Sequence, residues 1–387
     1  MVVRQVMPTN RINLMHAVLE MDIGGLQRLI TQMTLAMDRD LFNIEIVCMN
    51  REGCFADTLR SHGIKVTLLQ KNQHRADLWY PVRLAAFLRR KKTHILQMHP
   101  GVFIFGALAG RMAFTPCTVY TEHGRAVVDD PVRQAEDKLA VKLVDRVVAV
   151  SSNLNDMLVE RIKAPRRKLV TIINGIATDM FATRPRPATL VHEFGLPPDC
   201  RVIGTVARLD EIKDQLSMIR AFEIVCQRVG DCRLFLVGDG PLRDDLTVYI
   251  NQQNLQGKVI ITGQRSDVPD FLNLFDVFVL SSLSEGTSIS LLEAMASGVP
   301  PVVTRVGGNP DIVEHGTDGL VVEPRDPEAL ADAIAKLLLD GELHKRFASK
   351  CIAKVTRDYS IERMVQSYCQ MYLEILHRKN RFHDVSI

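Results

Sequence analysis

The sequence predicts two parallel α/β domains, each a doubly wound, Rossmann-like sheet. Three observations carry that expectation. Short β-branched runs alternate with longer amphipathic stretches at roughly 20–30 residue spacing, the rhythm of strand, helix, strand. Several of these runs, such as VFVL at 277–280, are apolar throughout, as strands covered on both faces are. The rhythm resets once, over 177–198, where TRPRP and a Pro-Pro pair leave no periodicity.

Taken in order, the first series of strands is expected at 12–18, 44–49, 66–69, 94–98, 118–121, 146–150 and 170–173. Helical patterns at 26–37, 81–90 and 154–161 lie among them. Residues 177–198 read as a linker. A second series then starts, with strands at 202–206, 234–237, 259–262, 277–280, 301–304 and 319–322, and helices at 215–228 and 327–339. A last helix is expected at 361–377. The domains are therefore placed at 1–180 and 195–361.

Composition bounds what such a chain does. Of 387 residues 47% are hydrophobic, enough for sizeable cores. Lys and Arg number 48 against 45 Asp and Glu, a formal charge of +3. That balance builds no global basic field, so nucleic-acid binding is not expected and any anion site must be local. The eight cysteines stand singly, at 48, 54, 117, 200, 226, 232, 351 and 369. None forms Cys-x-x-Cys or a zinc-type cluster, so reduced thiols, a cytoplasmic location and no bound metal are expected. The longest uncharged apolar run, 102–110, is far shorter than the roughly 20 residues of a membrane span. The first residues, MVVRQ, lack the plan of a signal peptide.

Ligands of open α/β sheets bind where strand carboxyl ends lead into helices. Four such loops hold residues that make poor structural sense. Gly24 and Gly25 open a helix after the first strand, and either a tight turn or a phosphate approaching helix amides explains them. Arg208 and Lys213 flank the loop after the first strand of the second series. They suit a diphosphate, with Arg208 paired to Asp210 or Glu211 as the plain alternative. Glu285 lies in the polar loop after 277–280, and Glu293 lies eight residues on, inside the apolar helical run ISLLEAMA. A carboxylate on a buried helix face is costly without a partner, and a hydroxyl-rich ligand is one such partner. His123, in TEHGR at 121–125, ends a strand and suits acid–base or hydrogen-bonding work, or a structural role. Glycine turns at 237–241, with Gly238, and at 304–309 read first as turn chemistry.

Together these motifs resemble the retaining glycosyltransferases of family 4, of GT-B architecture. The matching stretches are GGLQ at 24–27, TEHG at 121–124, VVAVSSN at 147–153, IINGI at 172–176, VARLDEIKDQ at 206–215, LVGDGP at 236–241, SEGTSISLLEAMASGVPPVV at 284–303 and VGGNPDIVEHGTDGLVVEP at 306–324. The pair Glu285-x7-Glu293 has the family's signature spacing.

The resemblance implies two Rossmann-like domains facing across a cleft, an acceptor domain first and a nucleotide-sugar donor domain second. A terminal helix, 362–387, would return to the first domain. It implies a UDP- or GDP-sugar as donor substrate and no bound cofactor. Arg208 and Lys213 would neutralise the donor diphosphate, Glu293 would hold the ribose, and Glu285 would contact the transferred sugar. The amides of Gly286, Thr287, Ser288 and Ile289 would face sugar and phosphates, and the loop with Arg265 would hold the base through backbone groups. Gly24 and Gly25 would admit the diphosphate, and His123 would orient the sugar. The implied acceptor is a carbohydrate or lipid-linked hydroxyl, in the synthesis of a surface polysaccharide. A nucleotide-sugar epimerase of the same fold and an inactive nucleotide-sugar-binding scaffold are the alternatives.

The stretch 78–92, LWYPVRLAAFLRRKK, opens on aromatic residues and ends in four cations, Arg89 to Lys92, and RIK at 161–163 and RRK at 166–168 add more. Such a surface suits an anionic membrane at the inner face of the cell, although cations at a helix carboxyl end also complement its dipole.

Overall fold

The computed structural model describes residues 11–22, 24–72, 77–124 and 131–379. The chain forms two compact units, Met1–Asn174 with Ile361–Ile387, and Gly175–Ser360.

The first unit runs β1 (Ile12–Glu20), α1 (Gly25–Ala36), β2 (Phe42–Arg51), α2 (Cys54–Ser61), β3 (Lys65–Leu68), α3 (Tyr80–Arg90), β4 (Ile95–Met98), α4 (Phe103–Ala113), β5 (Cys117–Glu122), α5 (Pro131–Leu143), β6 (Arg146–Ala149), α6 (Ser152–Ile162) and β7 (Leu169–Thr171). Its seven strands are ordered β3-β2-β1-β4-β5-β6-β7, and every pairing is parallel. All residues of β4 and β5 are buried, because helices cover both faces of the sheet. The uncharged run 102–110 belongs to α4, a core helix whose Gly106 and Gly110 let it lie against Met98 and Thr118.

The second unit runs α7 (Ala188–Glu193), β8 (Arg201–Val206), α8 (Gln215–Val229), β9 (Cys232–Val237), α9 (Arg243–Gln252), β10 (Val259–Gly263), α10 (Val268–Leu274), β11 (Val277–Leu280), α11 (Ile289–Ala296), β12 (Pro301–Thr304), α12 (Asn309–Ile312), β13 (Leu320–Val322), α13 (Pro327–Leu339) and α14 (Gly341–Asp358). Its sheet is also wholly parallel, ordered β10-β9-β8-β11-β12-β13. Side-chain caps start the helices cleanly. Asp214, Ser288, Asp326 and Asp340 accept amide hydrogens at the head of α8, α11, α13 and α14.

The expected linker at 177–198 is corrected by the structure. It holds a 3-10 turn, Thr178–Phe181, and α7, and Phe181, Leu190 and Leu196 are buried in the second unit's core. The prolines that broke the periodicity bound these short elements, and the three apolar residues supply the burial that holds them in place.

The last helix, α15 (Ile361–Arg378), packs against α1 and β5 of the first unit. It is strongly amphipathic, with Met364, Tyr368, Met371, Tyr372 and Ile375 buried. Two buried tyrosines fix its register. The Tyr368 hydroxyl lies 3.1 Å from the Thr121 hydroxyl, and Tyr372 donates to Gln97 Oε1 at 2.9 Å. Gln97 in turn donates to Thr121. A closed polar network inside a core is stable only while every member is satisfied. Tyr372→Phe, which leaves the buried Gln97 oxygen without its donor, is expected to cost about 1–3 kcal/mol. Adding Gln97→Met should return part of that loss. Chemical unfolding of the single and double variants measures both, and a neutral Tyr372→Phe would contradict the network.

Candidate functional site

Because every pairing is parallel, each sheet has all its carboxyl ends on one edge. Strand order reverses between β1 and β4 in the first sheet, and between β8 and β11 in the second. Loops leaving the two strands at a reversal diverge, and the gap between them is where ligands fit.

In the second unit that gap is built by the loops 207–214 and 281–288. They are stitched together by backbone. Ser281 Oγ donates to the carbonyls of Lys213 and Asp214 at 2.9 and 2.8 Å, and the Leu283 amide donates to Ile212 at 2.7 Å. The result sets Lys213 Nζ 2.6 Å from Glu285 Oε1. Ser282 Oγ donates to the same oxygen, also at 2.6 Å. The Glu285 side chain is only 6% exposed and that of Lys213 23%, so water screens this pair weakly. Glu285 Oε2 has no hydrogen-bond partner among the described residues.

Arg208 sits differently. Its side chain is 70% exposed and its Nε lies 3.9 Å from Asp210, a loose surface pairing. Its carbonyl is held at 2.8 Å by Gln215, the buried first residue of α8. Glu293 is buried within α11, four residues into the helix that begins at Ile289. Thr287 and Ser288 are buried at the head of that helix, where Ser288 accepts the Leu291 amide.

Two glycines are demanded by close approach. A Cβ on Gly307, at φ +52°, would lie 1.9 Å from the Glu285 carbonyl oxygen, and the Gly308 amide donates to Gly286 at 3.1 Å. The turn after β12 therefore forms the floor under the Glu285 loop. A Cβ on Gly238, at φ +142°, would lie 2.0 Å from the Ala207 carbonyl oxygen, and the Gly238 amide donates to Gly263 at 3.0 Å. Both positions use a conformation open to glycine. The Arg265 side chain is held by its neighbours. It forks onto Asp267 and Glu193 and lies over the Phe271 ring.

In the first unit the reversal carries a chain of three histidines. His16 lies on β1, His99 follows β4 and His123 follows β5, so adjacent strands deliver them in a row. His16 Nδ1 is 3.2 Å from His99 Nε2, and His99 Nδ1 is 3.3 Å from His123 Nε2. Successive rings stack 5.5 Å apart. Burial pushes His16 down to about 4 and His123 to about 3. Burial, with the charges its two neighbours would carry, holds His99 well below the ordinary range. All three rings are thus neutral, and each has one N–H to give. A chain of single donors must run in one direction. His16 Nε2 is buried without a partner among the described residues. An orphaned lone pair costs less there than an orphaned N–H, so the donors run from His16 to His99 to His123. His123 then keeps its Nδ1 proton as a donor.

Glu122, fully buried beside His123, accepts from the Tyr120 hydroxyl at 2.8 Å and from the Gly124 amide at 3.3 Å. It shapes the TEHG turn. Gly24 and Gly25 stand at the head of α1. A Cβ on Gly25 meets nothing, and one on Gly24 meets only the end of the Gln27 side chain, so packing does not demand either glycine. Ile23 and Arg125, which belong to these two loops, lie outside the described residues.

The sequence reading passed over His16, His99, Gln215, Ser281 and Ser282. A signal existed for two of them. His16 interrupts the apolar strand INLMHAVLE, and His99 follows ILQM directly.

Known proteins give this arrangement a family. The model for Glycosyltransferase Family 4 matches residues 23–180, and the model for Glycosyl transferases group 1 matches residues 189–353. The chain belongs to glycosyltransferase family 4. An Escherichia coli UDP-Gal:alpha-D-GlcNAc-diphosphoundecaprenol alpha-1,3-galactosyltransferase is 25% identical over 96% of this chain and 99% of its own length. The N-acetyl-alpha-D-glucosaminyl L-malate synthase of Bacillus anthracis is 28% identical over 78% of this chain and 80% of its own. Among solved structures, Anabaena HepE in complex with UDP superposes with a TM-score of 0.82 at 21% identity, covering 94% of this chain and 100% of that one. The fold is GT-B, with two Rossmann-like parallel sheets in this glycosyltransferase. Among the described residues no cluster of His, Cys, Asp or Glu could hold a metal ion, and no helix is long and apolar enough to cross a membrane.

The neutral histidines make stability depend on pH. Between about pH 6.5 and pH 4 the unfolded chain binds protons that the folded rings refuse. Stability is full above pH 6.5 and falls as pH drops, by up to about 1.4 kcal/mol per pH unit for each ring. His16→Gln and His99→Gln should each flatten that slope in unfolding curves recorded across this range. An unchanged slope in both variants would contradict the buried chain.

Proposed function

We propose that this glycosyltransferase moves a hexosyl group from a UDP- or GDP-sugar to a hydroxyl acceptor with retention of anomeric configuration. The observation that carries the reading is the Lys213–Glu285 contact at the β8–β11 reversal, next to the head of α11. Cation, carboxylate and helix amides there match a diphosphate joined to a sugar.

In this reading Lys213 exchanges its bond to Glu285 for the donor diphosphate, and exposed Arg208 folds onto the same phosphates. Amides of Gly286, Thr287, Ser288 and Ile289 add dipoles at the leaving oxygens. Preorganised charges of this kind lower the barrier where negative charge develops. Released from Lys213, Glu285 bonds the sugar hydroxyls. Glu293 takes the ribose hydroxyls, and Gly238 and the backbone at Arg265 border the base. His123 offers its Nδ1 hydrogen to a sugar hydroxyl, and Gly24 and Gly25 leave room for phosphate beside α1. The leaving phosphate accepts the proton of the acceptor hydroxyl on the same face of the sugar, which gives retention without a covalent intermediate.

The UDP donors and complexes of the galactosyltransferase and HepE support a UDP-sugar first. The galactosyltransferase's diphosphoundecaprenol substrate supports a lipid-linked acceptor in polysaccharide synthesis. A membrane surface would then be near. Leu78 and Trp79 stand 80% and 73% exposed ahead of α3, and Arg90 and Lys92 make no ion pair among the described residues. They form the surface proposed to touch anionic lipid at the cytoplasmic face.

The donor reading is tested with a panel of UDP- and GDP-sugars. One donor should raise the melting temperature and be hydrolysed slowly to free nucleotide. Lys213→Met should cut turnover by about 10²–10³-fold, and Glu285→Gln should abolish hydrolysis while UDP still binds. Product NMR then reads the anomeric configuration. Conversion of the sugar without an acceptor would favour an epimerase, and binding without nucleotide release would favour a scaffold. Separately, Leu78→Ser with Trp79→Ser should reduce sedimentation with phosphatidylglycerol vesicles, and equal sedimentation would remove the proposed surface.

A further inference from the structure

The first unit has a second charged feature, at the end of its sheet opposite the histidines. A cavity of about 430 Å³ opens at the amino ends of β5 and β6, beside Thr118 and Arg146. His123 follows the carboxyl end of the same β5, five residues from Thr118, or roughly 16 Å along the strand. The cavity is therefore separate from the site described above.

Its lining includes seven Lys or Arg residues and a single acid, Asp145. Helix carboxyl ends meet here, and cations that cap helix carbonyls would be an ordinary explanation. The structure shows which cations do that work. Lys168 Nζ donates to the carbonyls of Val141, Lys142 and Val144, closing the end of α5. Lys379 binds Asp145 at 2.6 Å and the Pro116 carbonyl at 2.7 Å, and Arg146 donates to the Asp145 carbonyl. Asp145 also accepts from the amide and hydroxyl of Thr118. The one acid and the carbonyls at the end of α5 are then occupied.

Four cations remain. Arg111 on α4, Lys142 on α5, Arg167 and Arg378 on α15 line the cavity and make no ion pair among the described residues. They come from four separate segments, so local helix pairing did not gather them. Their field is felt nearby. Burial, and beyond it the charges of Arg167, Arg146 and Lys379, holds the Lys168 ammonium below its ordinary range against the pull of Asp145. Such an accumulation, in a chain with a formal charge of only +3, costs folding energy unless an anion relieves it.

We infer that this cavity is a binding site for a multiply charged phosphate group. Three guanidinium forks and an ammonium match phosphate oxygens in number and geometry, and a single carboxylate would leave most of them uncompensated. The volume falls in the range of small-molecule sites, ~300–1,000 Å³. The group is carried either by a soluble diphosphate or by a lipid headgroup.

The test uses the full-length protein and inorganic pyrophosphate, titrated calorimetrically at low ionic strength. Three forms are compared: wild type, Arg111→Gln with Arg378→Gln, and Arg208→Gln with Lys213→Met. All four substituted residues lie at the surface or at a half-buried loop, and circular dichroism confirms that each variant is folded. Pyrophosphate affinity at least tenfold weaker in the Arg111/Arg378 variant, and retained in the Arg208/Lys213 variant, establishes a soluble ligand at the cavity. A second arm measures sedimentation with vesicles of phosphatidylcholine containing phosphatidylglycerol or cardiolipin. Loss of vesicle binding in the Arg111/Arg378 variant, with no pyrophosphate binding by any form, assigns the site to a headgroup. Equal behaviour of wild type and the Arg111/Arg378 variant in both arms overturns the inference.

Discussion

Lys213 and Glu285 lie 72 positions apart in the chain and meet at 2.6 Å. They meet because β8 and β11 are neighbours in a parallel sheet and both point their carboxyl ends the same way. The loops around them serve that contact. Ser281 and Leu283 tie the two loops, Ser282 shares the carboxylate, and Gly307 supplies a floor with no side chain. A weakly solvated ion pair is expensive unless its geometry is good and its hydrogen bonds are made. Here Ser282 and the tied loops meet that condition at Glu285 Oε1, while Oε2 is left without a partner among the described residues.

The fold was legible because parallel sheets write themselves plainly. A strand covered on both faces must be apolar, and its crossover helix must be amphipathic, so VFVL and its successors could be placed from pattern alone. The segment at 177–198 was not legible for the converse reason. Its prolines erase periodicity, and burial of Phe181, Leu190 and Leu196 depends on a core that exists only in three dimensions. Within the candidate site, residue type carried the signal. Glu293 stood out as a charge in an apolar helix, and Lys213, Glu285 and His123 as polar groups at strand ends. Gln215 and Ser281 gave none, since a Gln at a helix start and a Ser after a strand are ordinary, and only their bonds to Arg208, Lys213 and Asp214 show what they hold.

The histidine chain joins both lessons. No spacing in the sequence links positions 16, 99 and 123. The strand order β1-β4-β5 does, by laying three successive carboxyl-end segments side by side. Once they touch, chemistry removes most of their freedom. Imidazolium rings at 3.2–3.3 Å would repel, and burial already disfavours charge, so each ring is neutral and its tautomer is set by its neighbour. His16 and His99 are therefore positioning residues for His123, which inherits both ring orientation and the location of its proton from them.

Charge shows most clearly what a linear count hides. The chain's +3 is the residue of 48 positive and 45 negative side chains, and it argues against a global field. It does not describe any one place. Arg111, Lys142, Arg167 and Arg378 are separated by up to 267 positions, yet α4, α5, the turn before β7 and α15 bring them to one cavity. The return of α15 to the first unit is what completes the set, and the tyrosines that fix its register also fix where Arg378 arrives. A packing event in the core and an electrostatic one at the surface are thus one constraint. Moving the helix by a residue would unpair Tyr372 from Gln97 and withdraw Arg378 from the other three cations together.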